Sequence, residues 1–386
     1  MDISADRRLI LVHDQGGTFG PLTDLRRACD LRCGAWTIAE RLALRCAADT
    51  TTVVHARLLS LGVLENLAPG ERRFRRDGTF LAARLAAGAD EQGARTALET
   101  PPTDAERGFD ADIAAAPWDL TTRLGTTLTE DLPLLAKSAA YGSCVARALR
   151  PDEGQSFGAY PILIDPTASI GPLCVIDASK GAVVIAKGVT IRPLSVLVGP
   201  CVVCEGTTVG ERALLKGSTA IGPHCRAGGE IGGTIFQGYS NKSHDGHLGD
   251  SFVGEWVNIG AGSDNSNLLN TYGEVIVRLE ADGGLLRTGR QFWGSVIGDH
   301  AKLAIGTRLM TGTTIGTGAM IASSKPPAAL VPRFAWVTDS ADGPKSFRID
   351  KFLETARAVM SRRQVELSAD YEARLRTLHA AAAVGS

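Results

Sequence analysis

The stretch IAKGVT-IRPLSV-LVGPCV-V, residues 185–203, returns an aliphatic residue at every sixth position. The same interval continues past this stretch and recurs later, at Ile185, Ile191, Leu197, Val203, Val209, Leu215 and Ile221, and again at Ile297, Leu303, Leu309, Ile315 and Ile321. An amphipathic helix repeats every 3.6 residues and a strand every two, so neither explains this interval. A six-residue interval is typical of a parallel β-helix, in which each hexad forms one wall of a triangular coil and one aliphatic side chain points inward. Small residues such as Gly210 and Gly222 follow the aliphatic position where the chain turns tightly.

Composition agrees with such a coil and narrows the functional classes. The chain has 44 glycines and only 5% aromatic residues, and its 41 Lys and Arg residues nearly balance 42 Asp and Glu residues. A net charge of -1 argues against a protein that coats nucleic acid or an anionic membrane. No run approaches the roughly 18 apolar residues of a membrane span, and the start at Met1 lacks the pattern of a secretory signal. We therefore expect a cytoplasmic protein without a nucleic-acid or membrane partner.

Breaks in the six-residue interval predict three domains. Residues 1–155 indicate a small α/β domain, and residues 156–327 a β-helix of roughly seven coils. Two β-rich segments around Asp-Gly-Gly predict a hairpin insertion near 264–293. Residues 328–386 are predicted to form a C-terminal strand followed by a helix from about residue 350 to residue 379.

The amino-terminal domain carries weaker signals. Residues 9–12 indicate a buried strand, and the segment His13–Thr18 follows it at the place where a phosphate-binding loop would lie. The Gly-Gly segment alone favours an ordinary turn over a phosphate-binding loop. Residues 37–45 predict a helix with Thr37 as its N-cap, and residues 86–112 are predicted to be loop.

The segment GYSNKSHDGHLGD, residues 238–250, lies in the longest break of the interval and contains His244 and His247. Glu230, His244 and Asn258 follow one another at intervals of 14 residues, whereas one coil advances about 18, so we expect them on neighbouring coils. A neutral histidine can accept a proton from an attacking group, and a nearby carboxylate can orient the reactants. The segment is therefore a candidate catalytic site.

Several further side chains suit a phosphorylated sugar. Asparagines can bind sugar hydroxyls without adding charge, and Lys216 or Lys242 could bind a phosphate as point charges. Two other interpretations stay open. His244 could be a turn residue bonded to the backbone, or His244, His247 and His300 could meet at a subunit seam as a zinc site with an open position for water.

The cysteines do not strengthen the zinc interpretation. The pairs Cys29/Cys33 and Cys201/Cys204 each lack a second pair at ligand spacing, which favours buried free thiols and no metal.

The six-residue interval together with NKSHDGHLGD (241–250) and VNIGAG (257–262) resembles the acetyltransferase domain of the GlmU family, the bifunctional N-acetylglucosamine-1-phosphate uridyltransferases and glucosamine-1-phosphate acetyltransferases. Over its whole length the chain is similar to a shorter GlmU-like group of sugar nucleotidyltransferases, through segments such as PLTDLR (21–26), PWDL (117–120) and QFWG (291–294). The resemblance implies a left-handed β-helix, a homotrimer and an acetyl-CoA site between subunits. The motifs that carry the resemblance are specific to the family in the second half of the chain and match it only loosely in the first half.

Carried over by position, the resemblance makes His244 the general base, Glu230 its acidic partner and Asn258 a sugar ligand. It implies further substrate-binding and acetyl-CoA-binding side chains at Lys216, Lys242, Asn241, His247, Asn265 and Asn267, and at Ala304, Ile305, Ser323 and Lys325, respectively. The chain also departs from the family pattern. His247 stands where the family has tyrosine, Gly232 where it has lysine, Leu214 where it has a phosphate-binding arginine, and Ile305 where it has serine.

The amino-terminal domain departs further, because GGTF at residues 16–19 lacks the arginine that ends the nucleotidyltransferase loop. The resemblance implies Mg²⁺ only if that domain is active. The leading hypothesis is an acetyl-CoA-dependent N-acetyltransferase acting on an aminosugar phosphate or nucleotide sugar. The alternatives are a bifunctional enzyme that also makes the nucleotide sugar, a trimeric scaffold that binds a sugar nucleotide without turnover, and a zinc hydratase.

Overall fold

The structure is a computed structural model that describes residues 2–3, 9–14, 16–46, 51–86 and 91–384. Its centre is a parallel β-helix with three walls, visited in the order one, two, three in each coil. The strands of wall one are Ile162–Ile164, Val183–Ile185, Cys201–Val203, Thr219–Ile221, Ile235–Gly238, Phe252–Glu255, Val296–Ile297, Thr314–Ile315 and Leu330–Val331, with Val145–Ala146 antiparallel at the first edge.

Walls two and three complete each coil. The strands of wall two are Ser169–Ile170, Thr190–Ile191, Thr208–Val209, Arg226–Ala227, Asn241–Lys242, Asn258–Ile259, Lys302–Leu303, Met320–Ala322 and Ala335–Thr338, with Lys345–Ser346 antiparallel at the last edge. Wall three consists of Gly154–Phe157, Cys174–Asp177, Val196–Val198, Leu214–Leu215, Glu230–Gly232 and His247–Gly249, followed by the separate pair Asp264–Asn265 and Arg308–Leu309.

The inward side chains are the aliphatic residues of the six-residue interval. Ile185, Val203, Ile221, Ile297 and Ile315 are fully buried. Each wall stacks its members on those of the next coil at the spacing of hydrogen-bonded strands, about 4.8 Å. The mainly β fold class, a parallel β-helix with a small amino-terminal α/β domain and C-terminal helical structure, is confirmed.

The β-helix is longer than predicted. Walls one and two each contain nine parallel strands among the described residues, compared with the roughly seven coils expected. The strands Leu330–Val331 and Ala335–Thr338 continue both walls beyond residue 327. The prolines at 326 and 327 do not end the β-helix, because they lie in a loop between strands and remove no hydrogen bond from either wall. Within the 264–293 segment, Ile276–Val277 and Leu286–Arg287 pair antiparallel as a hairpin.

The amino-terminal unit is a five-stranded mixed sheet with strands in the order Asp2–Ile3, Leu9–Val12, Thr52–His55, Phe80–Arg84 and Arg72–Phe74. Three helices accompany it: α1 (Ile38–Arg45), α2 (Glu91–Glu99) and α3 (Pro117–Asp131). Short 3₁₀ helices occupy Gly20–Thr23, Ala28–Asp30, Leu61–Leu64, Asp104–Glu106 and Leu132–Lys137.

Two predictions for this unit have different outcomes. The Thr37 side chain accepts a hydrogen bond from the Glu40 amide at 3.2 Å, so the predicted N-cap of α1 is confirmed. The prediction of loop over 86–112 is wrong, because α2 forms there and buries Ala94 against Ile10 and Val53. Residues 87–90 of that segment lie outside the described residues.

Two helices, α4 (Ile349–Ser361) and α5 (Ala369–Val384), replace the single C-terminal helix that was predicted. Phe352 and Leu353 of α4 are buried in a cluster with Phe334 from the last coil. Gly318 provides the space, since a β-carbon there would lie 2.6 Å from the Phe334 ring and 2.9 Å from the Phe352 ring. This packing holds α4 across the β-helix beside wall two.

Within the described part of the chain, no helix has the length and apolar character needed to cross a bilayer.

Candidate active site

The predicted base lies at the corner that joins wall two to wall three, formed by residues 243–246; we call it the His244 corner. The coil beneath has glycines at this place. A β-carbon on Gly229, whose φ is +72°, would lie 2.6 Å from the Gly246 carbonyl oxygen. Glycine therefore lets the two corners approach and takes up a backbone conformation that other residues disfavour.

Lys242 fixes this corner from within. Its side chain is only 1% exposed, and its ammonium donates hydrogen bonds to the carbonyl oxygens of Gly228 (3.2 Å), His244 (3.0 Å) and Asp245 (3.3 Å). Burial lowers the pKa of Lys242 to about 8. This finding corrects the expectation that Lys242 binds a substrate phosphate, because the ammonium points into the β-helix and is occupied by backbone carbonyls.

His244 itself is exposed. Its ring makes no hydrogen bond to another of the described residues. The ring is accessible to an incoming substrate.

Glu230, Lys216 and His247 lie together on the outer face of wall three. Glu230 is in register with His247 of the next coil, and its carboxylate forms an ion pair with Lys216. The hydrogen bond from Lys216 is the main favourable interaction that lowers the pKa of Glu230. The Nε2 atom of His247 lies 3.8 Å from the same carboxylate. These three residues form a polar row beside the His244 corner, because Glu230 is linked through its amide to the carbonyl of Gly246 at 3.1 Å.

The ring of His247 has a defined orientation. Its Nδ1 atom lies 3.2 Å from the carbonyl oxygen of Asn265, and since a carbonyl can only accept, Nδ1 must donate. In the neutral ring the Nε2 atom is then the proton acceptor, and it is this atom that faces Glu230. His247 is thus a second imidazole at the site.

The predicted sugar ligands Asn265 and Asn267 have structural partners. Asn265 is buried, and its amide bonds to both backbone groups of Gly249, at 2.8 and 2.9 Å. Asn267 donates to the Asp250 carboxylate at 2.6 Å, and burial raises the pKa of Asp250. Asn265 therefore closes the end of wall three and is not available to a sugar in this structure.

Asn241 and Asn258 lie elsewhere. They are in register with each other on the outer face of wall two, whereas Glu230 and His247 lie on wall three. Asn241 accepts a hydrogen bond from Arg363 at 2.8 Å. The structure therefore does not place Asn258 on the same wall as Glu230; the two residues lie on either side of the His244 corner.

The predicted acetyl-CoA ligands lie along the same edge of the β-helix as His244, on later coils. The register of wall two places Asn241 on Asn258, Asn258 on Lys302, and Lys302 on Met320. Three residues further along each coil are His244, Ala261, Ile305 and Ser323. Successive coils are about 4.8 Å apart, so Ile305 lies roughly 10 Å along the edge from His244.

Two of the four predicted acetyl-CoA ligands differ sharply in their surroundings. Ile305, beside Ala304, is 78% exposed, which is unusual for an aliphatic side chain. The hydroxyl of Ser323 donates to Asp339 at 2.6 Å and accepts from the backbone amide of the exposed Lys325 at 3.1 Å.

His300 does not join the other two histidines. It lies at the corner between walls one and two, is buried, and pairs through Nε2 with the hydroxyl of Tyr371 at 3.1 Å. Burial holds its pKa well below the ordinary value. The three-histidine zinc hypothesis therefore fails on His300, which is buried at a different corner from His244 and bonded to Tyr371. Across the described ranges, no group of three or more His, Cys, Asp or Glu side chains is arranged to hold a metal ion.

The glycine loop of the amino-terminal domain is filled by a side chain of the same domain. A β-carbon on Gly16 or Gly17 would lie 2.6 Å from a guanidinium nitrogen of Arg57. Arg57 donates to both carboxylate oxygens of Asp14, at 2.8 and 2.7 Å, and also to the carbonyl of Ala114. Gln15 of the predicted phosphate loop lies outside the described residues.

The amide of Thr18 is also occupied, since it donates to the Ala115 carbonyl at 2.7 Å. An Mg²⁺ ion for nucleotidyl transfer would need free carboxylate oxygens here, and Asp14 is held by Arg57. The residues present do not fit that ion.

Sequence comparison finds GlmU proteins, the family that the sequence motifs resemble. The chain is 29% identical over 163 residues to the bifunctional protein GlmU of Synechococcus elongatus, covering 42% of this chain and 30% of that protein. It is 29% identical over 235 residues to GlmU of an Acidovorax species, covering 59% and 45%. It is 31% identical over 165 residues to GlmU of Methanococcus aeolicus, covering 42% and 39%.

The chain is GlmU-like. The resemblance drawn from its sequence motifs is confirmed by these relatives, although the chain spans less than half the length of each. No family model matches the chain.

Comparison of structures found UDP-N-acetylglucosamine acyltransferases. The protein from Francisella novicida gives a TM-score of 0.32 at 15% identity and covers 52% of this chain and 71% of its own. The Arabidopsis protein gives 0.21 at 15% identity, with 56% and 80% covered.

Three features of the site were not assigned from the sequence. Asp250 lay in the quoted segment without a role, Asp264 accepts a hydrogen bond from the amide of His247 at 2.6 Å, and Arg363 reaches wall two from helix α4. Asp250 and Asp264 could have been inferred from the sequence, because both lie within about 20 residues of His244 and His247. Arg363 had none, because it lies more than a hundred residues away in sequence.

Proposed function

We propose that the protein is an acetyl-CoA-dependent N-acetyltransferase that acts on an aminosugar phosphate or a nucleotide sugar, with His244 as general base. The observation that carries the proposal is the edge on which an exposed His244 is followed, coil by coil, by Ala261, Ile305 and Ser323. A long thioester lying along this edge would have its acetyl group near one end and its pantetheine arm over the exposed apolar side chain of Ile305.

The reaction is a direct acyl transfer. The amine nitrogen of the sugar attacks the carbonyl carbon of the thioester while His244 takes a proton from that nitrogen. The tetrahedral intermediate then collapses, the carbon–sulfur bond breaks, and the CoA thiolate leaves and is protonated. Products are the N-acetyl sugar and free CoA thiol, so no oxidant, reductant or metal is required.

The polar row on wall three supplies the charge that an aminosugar needs. The carboxylate of Glu230 can exchange its partner Lys216 for the substrate ammonium, which releases Lys216 toward a phosphate. Leu214 and Gly232 leave this part of the wall without the two cations that the resemblance would supply, so Lys216 is the cation we assign to the phosphate.

We propose a homotrimer as the assembly. Leu173, Leu194 and Ile305 lie on the edge between walls two and three and are 69%, 49% and 78% exposed. Apolar side chains at this exposure favour burial against another protomer.

Nucleotidyl transfer is not part of the proposal. Arg57 fills the glycine loop and holds Asp14, so a triphosphate would have to displace the buried side chain of Arg57 before it could bind. No step through Mg²⁺ is derived.

The test is a thiol-release assay on the purified full chain with acetyl-CoA and a panel of aminosugars, aminosugar phosphates and nucleotide aminosugars. We expect free thiol to appear with at least one phosphorylated aminosugar and not with acetyl-CoA alone. Saturable binding of a sugar nucleotide without thiol release from any member of the panel would overturn the proposal and favour the scaffold.

A further inference from the structure

A cavity of about 230 Å³ lies between wall two and the C-terminal end of α4, separate from the His244 corner. Its lining combines side chains from four consecutive coils with the end of the helix. The residues are Arg226, Tyr239, Asn241, Trp256, Asn258, Lys302, Val359, Arg362 and Arg363. We call this space the α4 cavity.

The outward side chains of wall two form one side of the cavity. Arg226, Asn241, Asn258 and Lys302 are in register on successive coils, so they form a column about 14 Å long. The rings of Tyr239 and Trp256 bound the column on one side, stacked with their centroids 4.3 Å apart.

Charge is strongly unbalanced in this cavity. Three arginines line it and, among the described residues that line it, none is acidic. The fourth basic residue, Lys302, adds little positive charge, because its ammonium donates to the carbonyl oxygens of Trp256 (2.6 Å) and His300 (2.9 Å) and burial lowers its pKa to about 7. Neither Arg226 nor Arg362 has a carboxylate partner in the part of the chain that the structure describes. Arg363 bonds only to neutral groups, the carbonyl of His224 at 3.4 Å and the side chain of Asn241 at 2.8 Å.

The place of Arg362 and Arg363 after α4 has an ordinary explanation, since basic residues stabilise the carboxyl end of a helix. That explanation does not extend to Arg226, which comes from the β-helix. It also does not explain why these cations converge, because like charges held this close repel one another. Burial and the charges of Arg226 and Arg362 together lower the pKa of Arg363.

An anion would remove the imbalance. Guanidinium groups match the geometry of phosphate oxygens, and amides and aromatic edges suit the polar and apolar faces of a sugar ring. A water molecule occupies about 30 Å³ of liquid volume, so the cavity has room for a phosphate and part of the group that carries it.

We infer that the α4 cavity binds the phosphate ester of a small molecule, with Arg226, Arg362 and Arg363 as the phosphate ligands and Asn258 contacting the esterified group. This site does not depend on the proposed acetyl transfer, because its residues and its readout are different. It also accounts for the position of α4, since closing the helix over wall two completes the set of cations.

The test compares the wild type with the double variant Arg226→Gln, Arg362→Gln. The matched control is Arg192→Gln, which removes an exposed wall-two arginine that is paired with Glu211 at 2.9 Å. Each protein is titrated with inorganic phosphate by calorimetry and melted in phosphate or in chloride of equal ionic strength.

We expect inorganic phosphate to stabilise the wild type more than chloride does, and to bind the double variant at least tenfold more weakly. The control should bind within twofold of the wild type. In phosphate-free buffer the double variant should melt above the wild type, because its substitutions relieve repulsion. Equal phosphate binding by wild type and double variant, or a double variant that melts lower in phosphate-free buffer, would overturn the inference.

Further titrations distinguish the source of the phosphate. Each ligand is titrated into the wild type and the double variant, because the His244 corner can also bind it. Tighter binding of glucosamine 1-phosphate than of inorganic phosphate that is lost in the double variant would assign the cavity to a sugar ester. A preference for CoA over dephospho-CoA that is lost in the double variant would assign it to the 3′-phosphate of the acyl donor. Thiol release by the double variant reports separately on the proposed function, so loss of one result leaves the other standing.

Discussion

The His244 corner and the glycine loop at residues 16–17 both resemble functional segments of the same family, but only the His244 corner is open to a ligand. At the His244 corner, a buried lysine holds the backbone from within, and the histidine ring stays exposed. At the glycine loop, Arg57 packs onto Gly16 and Gly17 and holds Asp14, so the space for a phosphate is filled by the domain itself. The comparison shows that a motif predicts a site only where the surrounding side chains leave room for a ligand.

Replacing the histidine should have the largest effect. His244→Ala should lower the rate of thiol release by 10²- to 10⁴-fold, the usual contribution of a general base. Asp245→Asn is the matched control, since it changes the neighbouring exposed side chain at the same corner. The variant and control should melt like the wild type; near-normal turnover by His244→Ala would show that the corner is not the site of proton transfer.

Lys242→Met should destabilise the corner by about 1–3 kcal/mol, because one buried and two partly buried carbonyls lose this donor. The effect should depend on pH. Since burial lowers the pKa of Lys242 to about 8 from 10.5, the unfolded chain binds more protons between these values. The free energy of unfolding therefore rises with pH between about 8 and about 10.5, and the cost of burying the charged form of Lys242 is absent above about 10.5.

Urea unfolding of wild type and Lys242→Met between pH 7 and pH 10 measures this dependence. The wild type should gain stability as the pH rises, and the variant should gain less. Parallel curves for the two proteins would contradict the assignment of the buried charge to Lys242.

Arg57→Ala should cost about 2 kcal/mol, because Arg57 is buried and its loss leaves the Ala114 carbonyl without this donor and Asp14 with His55 as its remaining partner. The control is Arg75→Ala, whose partner Asp77 is 3.9 Å away and exposed. That control should change the free energy of unfolding by less than about 0.5 kcal/mol. If both substitutions have the same small effect, Arg57 does not fill the loop in solution.

Glu230→Gln should have the smallest effect on stability, less than about 1 kcal/mol, since its pair with Lys216 is partly exposed. Its effect on catalysis should be larger in KM than in kcat, because we assign Glu230 to binding the substrate ammonium. Steady-state thiol release with a phosphorylated aminosugar separates the two constants. A fall in kcat at unchanged KM would assign Glu230 to His244 or His247 instead of to the substrate.

The six-residue interval was sufficient to predict the walls and the core, and its longest break marked the segment that carries His244. It did not predict the facing of individual side chains where the interval breaks. Successive wall-two strands begin at Arg226, Asn241 and Asn258, at steps of 15 and 17 residues instead of 18. These shortened coils turn Lys242 inward and leave Asn258 on wall two, away from Glu230.

Contacts between distant segments could not be read from the sequence either. Asn265 was expected to bind sugar, but its amide completes the backbone hydrogen bonding of Gly249. Arg57 and Arg363 act on loops and strands far from them in sequence, and no local pattern marks either residue. The charged residues and the glycine of residues 91–99 favour loop, yet the burial of Ala94 stabilises a helix there.

The comparison between the two segments is tested most directly in one reaction mixture that contains the full chain, acetyl-CoA, a phosphorylated aminosugar and UTP with Mg²⁺. Free thiol and pyrophosphate are measured in the same sample over time. The account predicts that thiol is released and pyrophosphate is not. Release of pyrophosphate without thiol would contradict it, because the filled loop would then be the working site and the open corner would be idle.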